Sequence, residues 1–179
     1  MEGLLQMPGW VLLWFYATAV ICTWDASFIV FRPHSLPGGK LAYIWYLYKY
    51  YVTVDQRYPD LKDDFVFAQS LLNYAEVVLN IIAIIMHYRK SRHTVPLAFT
   101  VTVMTFWKTV LYFLMYVVSD TYRKNNTVME HIFLFVIPNG FWVAVPFFIM
   151  IKLWKFILPV VGAASNGVSS TRKRKTKAS

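Results

Sequence analysis

The chain has 179 residues, of which 58% are apolar, 18% aromatic and only 15% charged, against roughly a quarter charged in an average soluble domain. That balance excludes a disordered chain and argues against an ordinary soluble domain, while the length fits one domain. The single cysteine, Cys22, excludes an intrachain disulfide and a zinc site built on several thiolates.

The net charge of +9 is not a nucleic-acid footprint, because Arg172, Lys173, Arg174, Lys175 and Lys177 concentrate it in a short tail. A basic tail on an apolar body reads as the cytosolic flank of a membrane protein. After a short N-terminus (residues 1–8), a first apolar segment covers residues 9–31. Its run is too long for a cleaved signal peptide, and no basic residue precedes it. Asp25 lies roughly 10 Å inside the far end of this segment, at 1.5 Å per residue. An unpaired ionised group there costs about 2.5 to 3.5 kcal/mol even on the mildest scale, and no basic residue is expected at its depth.

Residues 32–64 hold the run Tyr43-Ile44-Trp45-Tyr46-Leu47-Tyr48-Lys49-Tyr50-Tyr51. Amphipathic rings favour the headgroup level, so the run reads either as a lid on the membrane surface or as a plain aromatic belt. The second span, residues 65–86, carries Gln69, Asn73, Glu76 and Asn80 at spacings that form one helical stripe, with Glu76 near mid-membrane. The basic link His87-Tyr88-Arg89-Lys90-Ser91-Arg92-His93 follows.

The third span, residues 95–118, has its own stripe of Thr102, Thr105, Thr109, Tyr112 and Tyr116, with Lys108 beside it. Glu76 and Lys108 are expected either to serve a site or to neutralise each other as a buried pair. In the next connection Asn125-Asn126-Thr127 matches a glycosylation acceptor. In the fourth span, residues 132–157, Pro138-Asn139-Gly140 is expected to interrupt the helix, with Trp142 and Pro146 following. Lys175 and Lys177 in the tail, residues 158–179, read as a dilysine retrieval address or as a solvated basic flank.

Each of the four segments exceeds the roughly 20 residues needed to cross a bilayer, and backbone in lipid must be helical. The expected fold is an all-α four-helix membrane bundle. The basic link and tail place both termini in the cytosol. Turned inward, the stripes would enclose a small-molecule cavity with apolar walls and a few polar groups: Asp25, Asn73, Asn139 and Trp142 at comparable depth, with Thr109 and Tyr112 facing them.

Three stretches occur in register: Asp55-Gln56-Arg57-Tyr58 with Asp63-Asp64-Phe65, then Thr109-Val110-Leu111-Tyr112-Phe113-Leu114, then Asn139-Gly140-Phe141-Trp142 with Pro146. Together they resemble the emopamil-binding protein family, within the EXPERA superfamily, which includes sterol delta8-delta7 isomerases and the sigma-2 receptor. The resemblance implies a multi-pass endoplasmic reticulum protein with a sterol-sized cavity. Residue by residue, Asp25 matches the isomerase acid, and Asn139 and Trp142 match the last motif. The family histidine would fall at Ile21 and the family glutamate at Gln69 or Ser70, so this chain departs from the pattern at both.

Moving a ring alkene needs one proton in and one proton out, with neither metal nor redox cofactor. Asp25 is the expected acid, and Glu76, or a water held near Asn73 and Asn139, the expected acceptor. Asn73, Thr109, Tyr112, Asn139 and Trp142 are the expected substrate contacts, and Lys108 a structural or ion-pair residue. The expected partner is a sterol or another polycyclic lipid, not nucleic acid, with room for a homodimer. The alternative is a sterol-binding or trafficking protein without catalysis.

Overall fold

The computed structural model describes residues 6–119 and 126–176, with side chains to Leu158. Asp120, Asn125 and Lys177 lie outside the described residues, as do the side chains of Arg172, Lys173, Arg174 and Lys175. The described elements are α1 (Gly9–Val30), a 3-10 turn (Ala42–Trp45), α2 (Tyr48–Val54), α3 (Asp64–Tyr88), α4 (Thr94–Val118), α5 (Val128–Glu130), a π-helical stretch (His131–Val136) and α6 (Ile137–Thr176). Four helical stretches are long and apolar enough to cross a membrane: Gly9–Val30, Asp64–Tyr88, Thr94–Val118 and Val128–Leu158. They match the expected spans to within a few residues. Past residue 157 the chain stays helical as far as Thr176.

The helix starts are written in the sequence. Asp63 caps α3 by accepting the Val66 amide at 2.8 Å, and its other oxygen takes the Arg57 guanidinium at 2.7 Å. Thr127 and Glu130 form a reciprocal capping box at the start of α5. The basic link turns sharply at the end of α3. Lys90 takes the left-handed position (φ 51°), and the amides of Lys90 and Ser91 bond back to the carbonyls of His87 and Met86, closing a Schellman turn.

The Pro138-Asn139-Gly140 segment does not interrupt the fourth span as expected. Pro138 lies within continuous helix, and the irregularity sits one turn earlier, where His131–Val136 widens to π-helix and the Ile137 amide reaches the Ile132 carbonyl. Proline lacks an N–H and its ring crowds the carbonyl four residues back, so a wider turn before it relieves both conflicts.

α1 packs along α3, α3 along α4 and α4 along α6, while the first and fourth spans pair far less closely. On the side of the basic link the bundle is filled by Val11 and Phe15 of α1, Ala83 of α3, Ala98 and Val101 of α4, and Ile149 and Leu153 of α6. On the opposite, long-loop side, Phe28, Trp45, Tyr48, Tyr58, Tyr112 and Phe135 form an aromatic cluster. Between them lies a polar band, with the Asn80 amide donating to the Thr18 hydroxyl at 3.1 Å. The outer surface keeps exposed apolar side chains such as Leu13, Val78, Ile81, Trp107, Leu114 and Phe148, as a bilayer-facing surface requires.

Residues 31–63 fold back over the long-loop end. Trp24 donates to the Ile44 carbonyl at 3.1 Å and Trp45 to the Trp24 carbonyl at 2.8 Å. Arg32 donates to the Asp60 carbonyl at 2.7 Å and the Tyr58 carbonyl at 3.0 Å. Gly39 is required here, since a Cβ on it would lie 2.3 Å from the His34 carbonyl oxygen.

Candidate functional site

A cavity of about 430 Å³ opens between the first and fourth spans in the long-loop half. That volume falls within the roughly 300 to 1,000 Å³ typical of small-molecule sites. Exposed Ile21, Leu47, Tyr50 and Phe133 lie at its rim, and the wall is mostly apolar.

Asp25 reaches the wall because α1 buries Val11, Phe15, Thr18, Cys22 and Ile29 along one stripe, on which position 25 also falls. Its carboxyl is held from two sides. Oδ1 accepts the Tyr48 hydroxyl at 2.5 Å and the Tyr58 hydroxyl at 2.9 Å, and Oδ2 accepts the Asn73 side-chain amide at 3.2 Å. Asn73 in turn takes a hydrogen bond from the Lys108 ammonium on its own oxygen. Lys108 also donates to Glu76 Oε2 at 2.6 Å. The polar stripes of three spans thus join into one chain running from the two tyrosines through Asp25, Asn73 and Lys108 to Glu76.

This geometry refines two expectations. Lys108 does lie near Asp25's depth, one amide away. Glu76 does not line the cavity: it is buried behind Lys108, and its second oxygen, Oε1, has no hydrogen-bond partner among the described residues. Of the alternatives for Glu76, the paired arrangement is the one present. Asn73, Thr109, Tyr112, Asn139 and Trp142 all line the cavity, as does Ile21 where the resemblance put the histidine; of the two positions for the glutamate, Gln69 lines the cavity and Ser70 donates to the Val66 carbonyl at 2.9 Å. The threonines of α4 turn back on their own helix, Thr109 donating to the Thr105 carbonyl at 2.9 Å, and so do not bridge helices. Gln69 does bridge, donating to the Lys108 carbonyl at 3.1 Å.

A second buried network lies at the top of the cavity. Asp55, capping α2, is fully buried, and its Oδ2 accepts Tyr112 at 2.5 Å and Tyr51 at 2.9 Å. Asn139 donates to the Tyr51 hydroxyl at 3.1 Å and to the Phe135 carbonyl at 2.9 Å. Burial pushes the Asp55 carboxyl up to about 6, against the opposing pull of its tyrosine donors and of Arg57. Burial also raises the phenols of Tyr48, Tyr51 and Tyr58 well above their usual range, so they stay protonated and available as donors.

Sequence reasoning missed Tyr48, Tyr51, Tyr58 and Asp55 as site residues. It treated Tyr48 and Tyr51 as interfacial, and used Asp55 and Tyr58 only as part of the motif that carries the resemblance. A signal was present: positions 48, 51 and 55 share one face of a helix, the inward one, while Tyr43, Tyr46 and Tyr50 are exposed. The buried rings of the run close the cavity and its exposed rings face outward.

Comparison with curated proteins finds a relative named as a probable 3-beta-hydroxysteroid-Delta(8),Delta(7)-isomerase from Arabidopsis thaliana, 20% identical over 167 residues, covering 93% of this chain and 74% of the relative. No protein-family model matches the chain. No solved structure matches it.

Proposed function

We propose that this chain is a membrane-embedded isomerase of the emopamil-binding protein type, which moves a ring double bond in a sterol or related terpenoid. The observation that carries this reading is a carboxyl, Asp25, set in the wall of a mostly apolar cavity with Trp142 and Asn139 also on the wall. The distant similarity to a named sterol isomerase over most of the chain supports the same substrate class. The resemblance and the charge pattern favour the endoplasmic reticulum, with both termini cytosolic.

In this mechanism Asp25 carries a proton on Oδ2, the oxygen with the single, longer contact to Asn73. The alkene electron pair takes that proton to form a C–H bond, leaving a carbocation on the neighbouring ring carbon. A C–H bond on the next carbon breaks, its electrons form the new alkene, and the proton leaves to an oxygen at the wall. With Glu76 tied to Lys108, that acceptor is the Asp25 carboxylate itself or a water held near Asn73 and Asn139. The Trp142 ring face and the dry walls stabilise the cation.

A second reading is a sterol-binding protein without turnover. It is favoured by the fact that Asp25 is the one carboxyl on the cavity wall among the described residues, with Ile21 where the family histidine, and Gln69 or Ser70 where the family glutamate, is expected. Expression in a yeast strain lacking its own isomerase separates the two. Delta8-to-delta7 conversion in microsomes, falling by about 100-fold or more in Asp25→Asn and also falling in Trp142→Ala, supports the enzyme. Tight sterol binding with no conversion by the unmodified chain refutes it and leaves the binding reading.

A further inference from the structure

Asn73 can face Asp25 in two ways that differ only by exchange of its amide oxygen and nitrogen. With the nitrogen toward Asp25, the amide donates to Oδ2. With the oxygen toward Asp25, it would accept a proton from the carboxyl instead. In the structure the nitrogen faces Asp25, and the reason is Lys108: an ammonium has donors and no acceptor, so it binds the amide oxygen and turns the nitrogen away. Lys108 is itself fixed by Glu76, whose Oε2 it meets at 2.6 Å. Glu76 is buried and off the cavity wall, and its other oxygen has no partner among the described residues, so Lys108 is what engages it.

Resting on the isomerase reading, we infer that Lys108 and Glu76 are positioning residues that lock the Asn73 amide so that Asp25 cannot give its proton to the amide oxygen and must direct it into the cavity. The lock acts at one remove from the reacting atoms. Lys108 touches Asn73, Asn73 touches Asp25, and Glu76 keeps Lys108 in place. Without the lock the amide is free to rotate, its oxygen takes the Asp25 proton in a hydrogen bond, and the acid is occupied within the protein.

The test uses the full chain reconstituted in lipid nanodiscs with a delta8-unsaturated sterol. Lys108→Met combined with Glu76→Met removes the pair together, so that no buried charge is left alone. The expected result is a fall in kcat of about 100-fold with KM within about twofold. A double variant with unchanged kcat overturns the inference.

Infrared difference spectroscopy gives a readout that needs no turnover. The protonated carboxyl band absent in Asp25→Asn is expected to shift in the double variant and to shift back when Asn73→Leu is added, whereas a merely structural role for the pair predicts no return. A band that stays in place in the double variant overturns the inference even if the protein is an isomerase. If the unmodified chain has no turnover, the isomerase reading fails by itself, and the band alone decides whether the lock exists.

Discussion

Asp25, half-buried, and Asp55, fully buried, each accept two phenols, yet they occupy different places. Asp25 sits on the cavity wall, while Asp55 ties the loop helix to the third span behind it, facing Tyr51, Tyr112 and Arg57. Asp55 has a definite pH signature. Its folded-state value of about 6 exceeds the ordinary aspartate value of 3.8, so the folded protein holds the proton more tightly than the unfolded chain. Its contribution to stability is therefore full below about pH 4 and is lost as pH rises through about 6, by about 3 kcal/mol in all. Thermal-unfolding midpoints in detergent across pH 4 to 8 are expected to fall for the unmodified chain relative to Asp55→Asn, with the difference developing below about pH 7. Parallel curves for the two proteins would show that Asp55 does not titrate in this way. At this scale the sequence identified Asp25, Asn73, Asn139 and Trp142 as a group, because expensive polar residues in apolar spans stand out. It did not reveal Asp55, because an acid in a loop looks solvated until the loop is seen folded over it.

The elements were legible to the extent that their signals are local. Span length, the polar stripes of α3 and α4 and the Asp63 cap all depend on residues a few positions apart. The link between α3 and α4 carries a local conflict as well. Lys90 occupies a left-handed position that costs a residue with a Cβ roughly 1 kcal/mol or more, whereas glycine adopts it freely. Lys90→Gly is expected to raise stability by about 1 kcal/mol, read as a higher unfolding midpoint. A lowered midpoint would mean that the lysine side chain contributes more than its backbone costs. The fourth span shows the limit of local reading. Pro138-Asn139-Gly140 has the composition of a break, but the helix absorbs the proline through the π-helical stretch before it, since a chain crossing lipid must keep its backbone hydrogen bonds. That wider stretch includes Phe133 and Leu134, which line the cavity, so the proline shapes the wall without ending the helix.

The whole molecule is asymmetric along the bundle. One half is filled by interlocked aliphatic side chains, and the other is hollow, roofed by residues 31–63 and open between the first and fourth spans. Four spans put the basic link and the C-terminal helix on the same side. The orientation proposed above, which rests on the positive-inside rule, makes that side the cytosol. A protease-cleavable tag on the C-terminus is therefore expected to be digested in intact microsomes, whereas a tag placed in residues 36–40 is expected to be protected; the reverse pattern would invert the proposed orientation.

By itself the sequence determined the number of spans, their approximate ends and the inward turn of their polar residues. Each of these follows from bilayer thickness and helical periodicity, which act within one segment. Only the tertiary structure decided which polar group meets which. Glu76 goes to Lys108 rather than to the cavity, and Asp25 goes to two tyrosines of the folded-back loop and to Asn73, partners 23 to 48 residues away in the chain. Those pairings depend on the relative depth and rotation of separate helices, set by the packing of whole helix faces, and no spacing along one chain segment encodes them.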